Sequence, residues 1–121
     1  MHEISIATSI IDTVIELAAQ NNAKKVKKIS IEIGKLAMID KEQLKFGVEI
    51  LANDTLCKGM DVEIKFLPVK IKCKNEHITT IDEDVEFLDI PKYLKCSKCR
   101  DNDGIEILQG KEILIRRVVF G

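Results

Sequence analysis

The residues best suited to chemistry in this 121-residue chain fall between Cys73 and Cys99. The stretch opens with Cys73-Lys74-Asn75-Glu76-His77 and closes with Cys96-Ser97-Lys98-Cys99. Two cysteines separated by two residues form a knuckle, whose thiolates reach one metal ion from the same tight turn. One knuckle supplies half of a tetrahedral zinc site. Cys73 and His77 are placed to supply the rest, and the 22 residues between Cys73 and Cys96 match the spacing of zinc ribbons. Zinc favours sulfur and nitrogen donors, so a Cys₃His set of Cys73, His77, Cys96 and Cys99 is expected, with Glu76 and Cys57 as alternatives for the fourth place. The commoner habit of a residue like Cys57 is a small buried side chain. Cys96 and Cys99 also allow a redox dithiol, but no helix follows the motif.

A closed four-ligand site stabilises a fold and leaves no open position for catalysis. Nothing else in the chain supplies one: the glycines form no phosphate loop, and no serine or cysteine sits in a nucleophile elbow. The chain has two histidines. With His77 assigned to metal, His2 is the remaining imidazole. Met1, His2 and Glu3 place an amine, backbone amides, an imidazole and a carboxylate within three residues, a chelate suited to Ni²⁺ or Cu²⁺. The bland alternative is a solvated terminal histidine.

The elements that must position these groups follow from periodicity. Ile6, Ile10, Val14 and Leu17, widened by Ala7, Ile11 and Ala18, predict a helix over 4–20. Ile29, Ile31 and Ile33 alternate with Lys28, Ser30 and Glu32, which predicts a strand closed by Gly34. Asp40 with Gln43 matches a variant capping box for a second helix, with Leu44, Val48 and Leu51 inward. Val62, Ile64 and Phe66 predict a strand ended by Pro68. Val69, Ile71 and Cys73 lead into the metal module, 77–81 suggest a short strand, and 82–92 read as an acidic loop stopped by Pro91. Ile105 and Ile107 resume a strand, Gln109-Gly110 turns, and 111–120 forms a last strand whose apolar residues on both faces suggest an internal place in the sheet. The expected class is α+β: two helices on a small mixed sheet with an inserted zinc-ribbon-like module. Residues 1–68 plus 110–121 would form a nickel-binding α/β domain and 69–109 the zinc module.

Composition narrows the function. A net charge of −1, one Tyr and no Trp give no basic or aromatic surface for nucleic acid. No apolar run approaches membrane-spanning length, and Glu3, Asp12 and Glu16 interrupt any signal-peptide core. A cytoplasmic protein with reduced cysteines is expected.

Met1-His2-Glu3, Ser5 opening an apolar helix, Ile33-Gly34, Met38-Ile39-Asp40 before a second helix, and the cysteines ahead of a closing strand together resemble the HypA family over essentially the full length. Those proteins are nickel metallochaperones for [NiFe]-hydrogenase maturation, and for urease in some organisms. The resemblance implies a nickel site at His2 and Glu3 with the Met1 backbone, aided by Asp40, and a structural zinc in the insertion. It implies Ni²⁺ as transient cargo, a HypB-type GTPase as partner and the hydrogenase large subunit as recipient, no enzyme activity, and room for a homodimer. One departure stands out. The family usually carries two CxxC pairs, whereas here Glu76 occupies the second position of the first pair, and His77 is the residue able to compensate. A zinc-ribbon adaptor or a nucleic-acid-binding module without nickel transfer is the alternative.

Overall fold

The computed structural model describes residues 2–121, with nothing described of the His2 side chain. Its elements are α1 (His2–Gln20), β1 (Val26–Gly34), α2 (Lys41–Ala52), β2 (Asp61–Leu67), β3 (Lys70–Lys72), β4 (Ile78–Thr80), β5 (Glu106–Gln109) and β6 (Ile113–Phe120), with 3₁₀ turns at Lys35–Ala37 and Phe87–Tyr93. The class is α+β, as expected. Two three-stranded sheets are present, ordered β2-β1-β6 and β4-β3-β5. The chain divides into two compact units: residues 1–32, 39–65 and 114–121, and residues 33–38 and 66–113.

In the first unit the helical stripe is buried through Ala7, Ile10, Ile11, Val14 and Ala18 on α1 and Leu44, Val48 and Ala52 on α2. The helices pack on each other. Gly47 sits at their crossing, where a Cβ would lie 3.4 Å from that of Ala7. Val26, Ile29, Ile31 and Ile33 of β1 are buried, as are Val62 and Ile64 of β2. The alternation in β1 is therefore real: period-2 hydrophobicity puts one face inside. Phe66, by contrast, is 44% exposed.

Residues 82–92 depart from the loop expectation, because Phe87–Tyr93 is helical with Pro91 inside it. A 3₁₀ turn tolerates the missing proline N–H: the Asp89 N–H donates to the Glu86 carbonyl at 2.9 Å, and the Pro91 carbonyl still accepts from the Leu94 N–H. The gain is burial of Ile90, which joins Val69, Ile71 and Ile81 in the core of the second unit, flanked by Leu36, Phe87, Leu94, Ile105 and Ile107. β6 also departs from expectation. It is an edge strand and β1 is central. Its apolar residues are partly buried, and Leu114 is exposed, so two-sided apolarity here marks half-covered faces rather than an internal place.

The second unit is pinned at Gly34. Its N–H donates to the Glu112 carbonyl at 2.7 Å, and the Leu36 N–H donates to the Gly110 carbonyl at 2.7 Å. A Cβ on Gly34 would fall 2.1 Å from backbone atoms of Gly110. The Gly110 N–H donates to the Glu112 carboxylate at 2.5 Å. The Lys35 ammonium donates to the Glu83 carbonyl at 2.6 Å and to the Val85 carbonyl.

Gly34→Ala is expected to lower stability by about 3 kcal/mol, measured by urea unfolding, since backbone rather than a movable side chain must give way. Glu112 supplies a pH test. Its own backbone N–H, then that of Gly110, hold its carboxyl below the usual range. A depressed carboxyl contributes stability above its unfolded pKa and loses it as pH falls through the folded one. Glu112→Gln should therefore cost about 1 kcal/mol near neutrality and progressively less in acid.

Candidate metal centre

Cys73 lies just beyond β3, and the segment 73–77 turns the chain into β4. The Glu76 N–H donates to the Cys73 carbonyl at 2.9 Å, and the Cys73 N–H donates to the His77 carbonyl at 3.0 Å. Glu76 takes the left-handed conformation (φ 65°) that this reversal needs. The result is that His77, not Glu76, turns back toward Cys73. In the second knuckle the Arg100 N–H donates to the Cys96 carbonyl at 2.8 Å, and the Cys96 N–H to the Asp101 carbonyl at 3.1 Å.

These turns bring Cys73, His77, Cys96 and Cys99 together, with one donor atom from each lying within 4.8 Å of the others. His77 Nδ1 stands 3.6 Å from Cys96 Sγ and 3.3 Å from Cys99 Sγ. A tetrahedral ion with metal–sulfur and metal–nitrogen bonds of zinc-like length sets sulfur and nitrogen about 3.6 Å apart. The spacing and donor set fit a divalent cation of borderline softness. Cys73 and Cys96 are buried, whereas Cys99 is exposed. Cys57 is fully buried in the first unit, outside this group, and desolvation raises its thiol pKa.

The thiols are not equivalent. Cys96 Sγ accepts from the Cys99 N–H at 3.2 Å and the Lys98 N–H at 3.3 Å. Chiefly through the Cys99 amide, its pKa falls to about 6. Cys99 accepts from the Asn75 amide at 3.4 Å, which favours its thiolate, but desolvation and the neighbouring Cys96 and Cys73 sulfurs outweigh this and raise its pKa. Cys96 thus loses its proton more readily than Cys99, and a bound cation favours both thiolates.

The cysteine pattern did not single out Asn75, or Lys74, whose ammonium stands 3.5 Å from Asp101 and 3.8 Å from Asp103. They are the two residues after Cys73, and that proximity was the available signal. Each ties the first knuckle to the second.

The other residues singled out lie near the start of the chain. Met1 and the His2 side chain fall outside the described residues. Asp40 caps α2, its Oδ1 accepting from the Gln43 N–H at 3.0 Å as the capping box requires. The second bond of the box goes elsewhere: the Asp40 N–H donates to Glu3 Oε2 at 3.2 Å. The two acidic residues are therefore neighbours despite 36 intervening positions.

Comparison with known proteins gives the family. The family model described as "Hydrogenase/urease nickel incorporation, metallochaperone, hypA" matches residues 1–120. The chain belongs to the HypA family. A hydrogenase maturation factor HypA of Methanococcus aeolicus is 36% identical over 127 residues, spanning 99% of this chain and 97% of that protein. The protein of the same name from Francisella philomiragia is 36% identical over 121 residues, spanning 99% of both. The solution structure of the Ni metallochaperone HypA from Helicobacter pylori superposes with a TM-score of 0.70 at 25% identity, covering 98% of this chain and 96% of that one. This HypA-family member is thus of a nickel-metallochaperone kind, with a Cys/His metal-binding cluster. Among the described residues no helix is long and apolar enough to cross a membrane.

In metal-free protein, thiolate absorbance should rise in a first step near pH 6, and Cys96→Ser should remove that step. Persistence of the step in the variant would assign it to another thiol.

Proposed function

We propose that the protein captures Ni²⁺ through His2, Glu3 and the Met1 backbone nitrogen, with Asp40 assisting, and delivers it for [NiFe]-hydrogenase maturation. The observation that supports this reading beyond family membership is the hydrogen bond from the Asp40 N–H to the Glu3 carboxylate, which brings two of the four proposed residues together. Imidazole and backbone nitrogens suit the tetragonal preference of Ni²⁺. Nitrogen donors of this kind exchange ligands readily, which a carrier needs and a closed thiolate cage would oppose. Capture requires deprotonated donors and weakens as pH falls.

In the same reading Cys73, His77, Cys96 and Cys99 hold a structural Zn²⁺, which when bound supplies folding free energy and no chemistry of its own. His77 stands in for the absent second cysteine of the first knuckle, Asn75 donates to the exposed Cys99 sulfur, and Lys74 bridges the knuckles. The work divides between a nickel-binding domain (1–68 with 110–121) and the zinc module (69–109). A HypB-type GTPase and the hydrogenase large subunit are the partners that the family implies, urease is a second recipient, and the compartment is the cytoplasm.

Calorimetric titration of His2→Ala with Ni²⁺ is expected to show no stoichiometric binding, while its zinc content and circular dichroism match the parent. Unchanged nickel affinity rules out the terminal site. His77→Ala is expected to lose zinc and keep nickel binding; full zinc retention would remove His77 from the ligand set.

A further inference from the structure

The geometry points to a peptide-docking site on the second unit: an extended acidic segment of a partner protein adds to the free edge of β4 and places carboxylates against Lys95 and Arg100. β4 pairs with β3 antiparallel, with Ile71 opposite Thr79 and Lys70 opposite Thr80. Hydrogen bonds from the Cys73 N–H to the His77 carbonyl and from the Ile81 N–H to the Val69 carbonyl fix which residues face β3. The odd positions 77, 79 and 81 face inward. The backbone N–H and C=O groups of Ile78 and Thr80 therefore face outward. β4 ends its sheet, and among the described residues those outward groups have no partner. An edge of this kind is a template for strand addition.

Beside that edge lies a cleft of about 280 Å³, whose lining includes Thr80, Asp82, Tyr93, Lys95, Ser97 and Arg100. Its size fits one or two side chains rather than a cofactor. Its charge selects which ones. Lys74 pairs with Asp101 and Asp103 and Lys92 with Asp89, but neither Lys95 nor Arg100 has an ion-pair partner among the described residues. The single acidic lining residue is already engaged, Asp82 Oδ1 accepting from the Asp84 N–H at 2.9 Å. Arg100 holds a left-handed backbone (φ 55°), a position where glycine would be unstrained. That conformation belongs to the knuckle turn, but the side chain, unpaired among the described residues and lining a cleft, suits recognition of an external anion. Exposed Ile78 gives the added strand an apolar neighbour.

The partner is thus an extended segment with carboxylates on alternate residues, which face the same side of a strand. The test uses the full, metal-loaded chain, isotope-labelled, with the synthetic peptide Glu-Val-Glu-Val-Glu as probe. Amide shifts are expected at Ile78, Thr80, Lys95 and Arg100, with no binding of the Lys-Val-Lys-Val-Lys counterpart. Lys95→Glu with Arg100→Glu should weaken binding roughly tenfold or more. Arg100→Gly, which relieves the left-handed strain, should fold and retain metal yet bind more weakly. Spectral dispersion and metal content verify each variant. Absence of binding by the acidic peptide, equal affinity of Arg100→Gly, or shifts confined to other residues would overturn the docking site. Inorganic phosphate producing the same shifts at the same affinity would overturn it in favour of a small-anion site.

Discussion

Three thiols and an imidazole whose donor atoms lie within 4.8 Å of one another cannot all present lone pairs inward without a cation between them. Backbone amides, chiefly that of Cys99, let Cys96 ionise early, whereas desolvation and the neighbouring Cys96 and Cys73 sulfurs hold Cys99 back. Backbone amides and the Asn75 side chain relieve part of this repulsion, and a bound metal relieves the remainder. The knuckle turns, the left-handed Glu76 and Arg100, and the reversal between β3 and β4 all serve to converge these donors. Without that convergence the segment 73–101 has only the small cluster around Ile71 and Ile90 to order it.

The Glu3–Asp40 contact is a constraint of another kind. A capping box ordinarily closes on itself, with the residue three positions into the helix returning to the cap's own N–H. Here that N–H is taken by a carboxylate from α1, so the start of one helix is tied to the start of the other. The tie involves an acidic residue at the beginning of α1, where the helix dipole favours negative charge. Helix packing through Gly47 and this polar contact together fix how the first turn of α1 meets the first turn of α2.

Much of this was legible in the residues. Isoleucines at every second position gave β1, the 3.6-residue stripe gave α1, and cysteine spacing with one well-placed histidine gave the cluster. The misreadings share a physical cause: burial decided by tertiary context. Pro91 reads locally as a stop, yet Phe87, Ile90 and Leu94 at helical spacing bury an apolar face that a 3₁₀ turn can present despite the missing N–H. β6 carries apolar residues on both faces, and nothing local distinguishes half-covered faces from an internal strand. Phe66 continues the alternation of β2 in sequence but stays exposed. The roles of Asn75 and Lys74 depend on the second knuckle's placement, which spacing alone cannot give.

The backbone contact at Gly34 bears on how the chain acquires its structure. Residues 33–38 belong with residues 66–113, so this unit is assembled from pieces separated by 27 residues of chain. Its core is incomplete until Leu36 meets Val69, Ile71 and Ile90, and its final backbone bonds wait for Gly110 and Glu112. On a ribosome, those partners emerge long after Gly34 and Leu36. Thiols of the two knuckles thus stay unburied until residues 110–112 follow them, and closing the long loop between residues 38 and 66 is an entropic toll collected before the last contacts form. Metal arriving early would shorten that exposure by joining the knuckles before the glycine contact is made.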